Sequence, residues 1–269
     1  MLTKRRNKIN LKTADEIESM RAAGRLVRQV LQHCHEICKP GISTAEIDRQ
    51  ACEIYTKAGA VGLFKNYPSN SPGVPPFPGN LCISLNDEVV HGIPSDEVVI
   101  KDGDIVSIDC GVNLNGWCGD SATTILVGNV DAKTRKLCEA TQHVLELAIQ
   151  NIKPGRKWSQ IARLMQNYAE RSGYGVVKNF VGHGVGRELH EEPQVPNYYD
   201  ARDPRWRDFD LRPGMTLAVE PMCIMDGDDE TEVMDDGWTV KTANRMPSAH
   251  YEHTLVVTQT GCDILTNGK

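Results

Sequence analysis

The chain has 269 residues, of which 40% are hydrophobic and 25% are charged, so its composition is that of a globular protein and excludes wholesale disorder. The length allows two domains, or one large α/β or α+β domain. The net charge of −6 argues against nucleic acid as the main partner, because a phosphate-binding surface needs an excess of Lys and Arg.

The N-terminal segment 1–13 is polar and charged, and we expect it to be an extension ahead of the folded domain. It lacks the apolar core of a signal peptide, and no run of about 18 apolar residues occurs that would span a bilayer, so we expect a cytoplasmic protein. Nine scattered cysteines without a C-x-x-C pair fit reduced thiols in that compartment. The basic cluster Lys4, Arg5, Arg6 and Lys8 is interpreted as a solvated end, with transient contact to ribosomal RNA as the alternative.

The predicted helices repeat once along the chain. In each copy a long amphipathic helix stops before a Lys-Pro-Gly sequence, and a second helix follows that break. The four predicted helices cover 14–38, 44–59, 134–152 and 160–173, with Ser159 directly before the last one. This repeat predicts a single α+β domain over 14–269, built from similar halves at about 14–130 and 131–262.

Sequence with strand character follows each helix pair. The predicted strands are 81–85, 97–100, 104–114 and 121–127 in the first half, and 176–181, 215–224, 238–242 and 249–258 in the second. The proline-rich stretch 68–79 is predicted to be a loop of restricted conformation, since proline breaks helices and central strands. The acidic stretch 226–236 is interpreted as a solvated connection, because it lacks the mid-loop glycine of a calcium-binding EF-hand loop.

Acidic residues inside predicted strands are the main chemical signal. Asp109, Glu220 and Glu252 each interrupt an apolar run. For any one of them, a solvent-facing or Arg-paired acid is the simpler interpretation, but three buried carboxylates need a shared explanation. Asp120 follows an Asn-Gly hairpin turn, which predicts that it faces the same side as Asp109 on the adjacent strand. His183 stands between glycines, where we expect the backbone to approach a ligand closely.

Together these five side chains predict a dinuclear metal site. The four carboxylates carry four negative charges, which two divalent cations would cancel. Oxygen donors with a single imidazole favour Mn²⁺, Fe²⁺, Co²⁺ or Zn²⁺ over an ion that prefers thiolates. Two carboxylates that bridge ions roughly 3.5–4 Å apart are typical of two-metal hydrolases.

Five segments of the chain, in order, closely resemble those of the type I methionine aminopeptidases. They are 86–94, 102–109, 182–193, 213–221 and 248–254, and the resemblance covers roughly residues 12–260. It implies the pita-bread fold, a pseudo-twofold duplication of α/β halves around a central antiparallel sheet, in agreement with the repeat. The short spacing between His190 and Glu220 leaves no room for the helical insertion of the type II enzymes.

The resemblance implies a role for each site residue. Asp109 would bind one metal, His183 and Glu220 the other, and Asp120 and Glu252 would bridge both. Glu220 would also accept a proton, His190 would hydrogen-bond the carbonyl oxygen of the scissile peptide, and His91 would lie by the scissile nitrogen or the free amine. The implied activity is removal of the N-terminal methionine from nascent polypeptides, with a small second residue favoured. We expect a cytoplasmic monomer without a DNA or membrane partner.

The methionine pocket matches the family less closely. The candidate pocket residues are Cys82, Trp238, Tyr67 and Phe77. Tyr67 and Phe77 compete for the aromatic wall, and the sequence does not choose between them. Leu189 stands where the family usually has an aromatic residue, and 68–80 is longer than in the shortest bacterial forms.

Two alternative functions are weighed against this one. An aminopeptidase P or prolidase-type enzyme would share the fold and the five ligands, but the segment 248–253 and the short chain argue against it. A non-catalytic pita-bread binding module would have lost ligands, whereas all five are present here.

Overall fold

The computed structural model describes residues 9–69, 71–203 and 206–269, so the basic cluster at 4–8 lies outside the described residues. The helices are α1 (Ala14–Ile37), α2 (Thr44–Lys57), α3 (Ala132–Asn151) and α4 (Trp158–Arg171). The strands are β1 (Val61–Gly62), β2 (Cys82–Leu85), β3 (Glu88–Val90), β4 (Ile105–Leu114), β5 (Trp117–Leu126), β6 (Gly175–Val176), β7 (Gly182–Gly184), β8 (Glu191–Val195), β9 (Thr216–Val219), β10 (Met222–Ile224), β11 (Thr231–Val233), β12 (Val240–Thr242), β13 (Ser248–His250), β14 (His253–Val257) and β15 (Cys262–Ile264). A 3₁₀ turn covers Met225–Gly227.

The four predicted helices are confirmed, and every end lies within two residues of its predicted position. Capping side chains set where two of them begin: Thr13 and Glu16 form a capping box ahead of α1, and Asp131 accepts hydrogen bonds from the first N–H groups of α3. The apolar face of each helix pair packs on strands, so α1 and α2 cover β2 and β4, while α3 and α4 cover β9 and β14. The predicted α+β class is therefore confirmed.

The β4–β5 hairpin brings the first two carboxylates together. Its turn residues Asn115 and Gly116 have φ angles of 53° and 81°, and this tight hairpin turn needs positive φ at both positions. Asp120 on β5 lies opposite Gly111 on β4, two residues beyond Asp109. Because alternate residues of a strand share a face, Asp109 and Asp120 lie on the same side of the hairpin, as predicted.

The sheet of the second half, ordered β15-β14-β9-β7-β8, positions three further site residues. Strand β14 pairs antiparallel with β9, with His253 opposite Val219. Glu252 and Glu220 are each the next residue beyond that pair, so their backbones come side by side. On the other edge of β9, strand β7 carries His183 to the same end of the sheet.

Two predicted strands are wrong, and two others are interrupted. Residues 97–100 form no strand beyond an isolated bridge from Val99 to Ser43, because they pair with the short segment 41–44, which continues into α2 from Thr44 and offers no longer ladder. Of 176–181, only the first residue belongs to β6. The predicted strands 215–224 and 249–258 each break in the middle, at the residues that carry Glu220 and Glu252.

Several short strands escaped prediction. Strands β3, β7, β8, β11 and β15 are at most five residues long, too short to show an alternating pattern. The prediction of a plain connection over the acidic stretch 226–236 needs one correction. The stretch contains β11, which pairs with β12, although its acidic side chains remain at least partly exposed. No helix among the described residues is long and apolar enough to cross a membrane.

Candidate metal centre and active site

A cavity of about 520 Å³ opens between the two halves of the chain. All five predicted metal ligands line it: Asp109, Asp120, His183, Glu220 and Glu252. The other predicted site residues line it as well: Tyr67, Phe77, Cys82, His91, His190 and Trp238. The fold therefore brings together every residue that the sequence singled out for the site.

The carboxylates at the base of the cavity are withdrawn from water. Asp120 and Glu252 are only 4% and 2% exposed, and the Glu220 side chain is 14% exposed. Burial raises the pKa of Asp120 to about 7, and burial together with mutual repulsion holds the pKa values of Asp109, Glu220 and Glu252 well above their usual range. Such a cluster is electrostatically costly unless cations neutralise it.

Unpartnered oxygen atoms mark where those cations would bind. The buried oxygens Asp109 Oδ1, Asp120 Oδ1 and Glu252 Oε1 have no hydrogen-bond partner within the described residues. Asp120, His183 and Glu252 each offer a ligand atom, and these three atoms lie within 4.8 Å of one another. Oxygen donors with one imidazole suit a divalent ion of the Mn²⁺ to Zn²⁺ series, so the residues present fit a metal centre.

His183 is oriented for metal binding by its backbone. Its Nδ1 lies 2.9 Å from the Gly184 carbonyl oxygen and donates to it, which leaves the lone pair of Nε2 free. Nε2 lies 3.5 Å from Glu220 Oε1 and 3.6 Å from Asp120 Oδ2. Burial lowers the pKa of His183 to about 3, which keeps the imidazole neutral.

The glycines beside His183 make room for the backbone of neighbouring strands, whereas we expected them to allow close approach of a ligand. A Cβ added at Gly182 would lie 2.3 Å from the carbonyl oxygen of Ala218, and one at Gly184 would lie 2.3 Å from that of Glu192. These glycines therefore admit the backbone of the neighbouring strands rather than a ligand. Their effect on the site is indirect, because they let β7 pack closely enough to place His183.

Two further histidines line the cavity together with the carboxylates. His91 directly follows β3 with a φ of 60°, a left-handed conformation that is uncommon outside glycine, and its ring packs edge-on against Phe180 and Trp238. Desolvation lowers the pKa of His91 to about 4. His190 is exposed, its ring centroid lies 4.3 Å from that of His183, and desolvation lowers its pKa.

One side of the cavity is an apolar pocket. Phe77 and Cys82 lie in its wall with Leu189 and Phe64, all four of them buried. Trp238 packs edge-on against Phe77 with ring centroids 5.3 Å apart. Phe64 was not predicted to line this pocket, because nothing near it in the chain distinguishes it from any other core aromatic residue.

A second residue that sequence reasoning passed over is His250. It is 1% exposed, its Nε2 lies 3.8 Å from Glu220 Oε2, and that nitrogen has no hydrogen-bond partner within the described residues. A signal for it was present, because His250 stands two residues before Glu252, and residues at that spacing in extended chain share a face.

A buried set of carboxylates and one imidazole, at the base of a cavity with an apolar side pocket, defines a metal-dependent hydrolase site. The chain matches the model of metallopeptidase family M24 over residues 18–259 and belongs to that family. Members of a metallopeptidase family use divalent metal ions, and the donor set described above is suited to them.

Individual relatives indicate which kind of metallopeptidase the chain resembles. The chain is 44% identical to methionine aminopeptidase 1 of Bacillus subtilis over 256 residues, which cover 95% of this chain and 98% of that protein. The crystal structure of methionine aminopeptidase from Thermotoga maritima superimposes with a TM-score of 0.89 at 41% identity, covering 96% of this chain and 99% of that one. The prolidase from Pyrococcus horikoshii gives a TM-score of 0.75 at 23% identity, covering 96% of this chain and 64% of that one. This last similarity shows the fold alone. These neighbours confirm the predicted pita-bread fold.

Proposed function

We propose that this chain removes the N-terminal methionine from polypeptides by metal-dependent hydrolysis of the first peptide bond, and that it favours a small second residue. The observation that carries the proposal is the apolar pocket of Phe77, Cys82 and Trp238, which opens directly beside the metal-binding carboxylates. A long, unbranched, apolar side chain such as methionine fits a pocket of this kind. Relatives that span nearly the whole chain and carry the name methionine aminopeptidase support it further.

The metal centre is proposed to hold two divalent cations, drawn from Co²⁺, Mn²⁺, Fe²⁺ and Zn²⁺. Asp109 would bind one, His183 and Glu220 the other, and Asp120 and Glu252 would bridge them. When bound, such cations activate water and polarise the carbonyl of the scissile bond. The raised pKa values of the cluster support a charge-neutralising pair, because four adjacent carboxylates are difficult to ionise without one.

The protein side chains complete the reaction. We assign to Glu220, whose Oε1 lies 3.5 Å from His183 Nε2, the role of accepting the proton released when water attacks the carbonyl carbon. His190 supplies a hydrogen bond to the carbonyl oxygen as negative charge develops there. His91, held between Phe180 and Trp238, contacts the scissile nitrogen or the free amine of the substrate.

We further propose the setting in which this activity takes place. Residues 14–269 would form one catalytic domain with halves 14–130 and 131–262, preceded by the extension 1–13. The substrates would be the N-termini of nascent polypeptides in the cytoplasm, met by a monomeric enzyme during transient contact with the ribosome.

The test compares two kinds of peptide with metal-loaded protein. We expect release of Met from Met-Gly-Met-Met and no cleavage of Xaa-Pro peptides; the Asp109→Asn variant, which keeps the size and shape of the side chain, is the inactive control. Cleavage of Xaa-Pro peptides in preference to Met-Gly-Met-Met would replace the proposal by a prolidase-type function. A protein that binds metal and cleaves neither peptide would indicate a binding module.

A further inference from the structure

The hydroxyl of Tyr67 forms a hydrogen bond, which a residue that only lines an apolar pocket would not need. Its oxygen lies 2.7 Å from Nδ1 of His190, and the two rings meet edge-on with centroids 5.5 Å apart. Phe77, the other candidate for the wall, is 2% exposed within the apolar cluster and has no hydroxyl. The two aromatic residues therefore do different things: Phe77 packs, and Tyr67 forms a hydrogen bond.

The direction of this hydrogen bond follows from the acidity of the two groups. A phenol O–H is a stronger acid than the N–H of a neutral imidazole, and an imidazole nitrogen is a stronger base than a phenol oxygen. The favoured arrangement is therefore donation from Tyr67 to Nδ1. A neutral imidazole has one N–H, so the proton of His190 then resides on Nε2. Among the described residues Nε2 of His190 has no hydrogen-bond partner, which leaves it available to a substrate.

The loop that carries Tyr67 is closed by backbone hydrogen bonds. The N–H of Asn66 donates to the carbonyl of Phe77 at 2.8 Å, and the N–H of Phe77 donates back to the carbonyl of Tyr67 at 3.0 Å. The far side of the loop is tied down as well, since Nε1 of Trp238 donates to the Pro75 carbonyl at 2.9 Å. The prolines of this segment restrict it further. These hydrogen bonds thus hold Tyr67 beside His190, and the same loop contacts the pocket through the hydrogen bond between Pro75 and Trp238.

We propose that Tyr67 is a positioning residue, which holds His190 in the tautomer and orientation that direct an Nε2–H donor to the carbonyl oxygen of the substrate. This inference rests on the proposed peptidase function for the part that concerns the substrate. The tautomer itself is a property of the protein and is measurable without turnover. At metal sites, a hydrogen-bond partner that orients a histidine contributes about 10–100-fold to affinity or activity, and we expect an effect of that order here.

The test uses Tyr67→Phe, which removes one oxygen atom and keeps the ring. Long-range ¹H–¹⁵N correlation spectra of the Zn²⁺-loaded protein, assigned with His190→Asn, should show Nδ1 of His190 as an unprotonated acceptor and Nε2 as protonated. In Tyr67→Phe both nitrogens should move toward the averaged shifts of exchanging tautomers. With Met-Gly-Met-Met, kcat should fall about tenfold or more while KM changes less than about twofold, and metal content should not change.

Tyr198→Phe is the matched control. It likewise removes one tyrosine hydroxyl, here one that donates to the Asp203 carboxylate, and Tyr198 does not line the cavity, so the His190 shifts and kcat should stay at wild-type values. A proton on Nδ1 in the wild type, or unchanged kcat in Tyr67→Phe, would overturn the inference. A large rise in KM with the tautomer intact would also overturn it and place Tyr67 in direct contact with substrate. If the wild type releases no Met, the proposed function fails, and the spectra still decide the hydrogen bond.

Discussion

Replacing Lys12 by Met tests a buried ion pair beside the active site. Lys12 Nζ lies 2.6 Å from Glu191 Oε2, and the two side chains are only 5% and 10% exposed. The other oxygen of Glu191 accepts the backbone N–H of Arg187 at 2.8 Å. The pair therefore ties the N-terminal segment to the turn that carries His190. Methionine keeps the apolar stem of lysine and removes the charge, which leaves the Glu191 carboxylate buried without its cation.

Breaking a buried pair costs about 3–5 kcal/mol, and the lower end applies here because a backbone N–H still contacts Glu191. About 3 kcal/mol corresponds to a fall of roughly 6–12 °C in melting temperature for a chain of this size. The control is Lys57→Met, which breaks a pair with Glu53 whose side chains are 77% and 67% exposed and should cost less than about 1 kcal/mol.

Melting of the metal-loaded proteins by calorimetry measures both shifts. A double-mutant cycle with Glu191→Gln isolates the charge interaction, because glutamine retains an acceptor for the Arg187 N–H and carries no charge. We expect Lys12→Met to lower the free energy of unfolding less in the Glu191→Gln protein than in the wild type. Equal shifts for Lys12→Met and Lys57→Met would refute the reasoning, and so would a cost of Lys12→Met that does not depend on Glu191.

Three predictions concern the metal centre. Asp109→Asn or Glu252→Gln should leave a folded protein whose activity is lower by several orders of magnitude, and retention of more than about a tenth of the activity in metal-replete buffer would contradict the ligand assignment. Chelation should inactivate the enzyme reversibly, with Co²⁺, Mn²⁺ or Fe²⁺ restoring turnover; activity in a preparation shown by elemental analysis to contain no metal would exclude the metal-dependent mechanism. His190→Ala should lower kcat about 10²–10³-fold with bound metal unchanged, whereas His183→Ala should lose metal, and measurement of kcat, KM and metal content on both variants separates the two roles.

Local sequence determined the helices and the β4–β5 hairpin. Caps such as Thr13 and Asp131 satisfy the first N–H groups of a helix, and Asn115-Gly116 selects a tight turn whose register fixes which residues face each other. The relation of Asp109 to Asp120 was predictable for that reason. The residue types at the base of the cavity were also readable from the chain, since acids within apolar runs are costly without a shared partner.

Tertiary structure decided where distant segments meet. Glu220 and Glu252 approach Asp120 only because β9 pairs with β14 and the two halves of the chain close on each other, contacts that no local pattern encodes. Tertiary structure also decided which roles Tyr67 and Phe77 have in the site. Both are aromatic residues in one proline-rich loop, and backbone closure of that loop, together with the position of His190 more than a hundred residues away, gave one a packing role and the other a hydrogen bond. Local conformational preferences of the chain act within a few residues. Which side chains meet in a site depends instead on strand register and on packing between segments far apart in sequence.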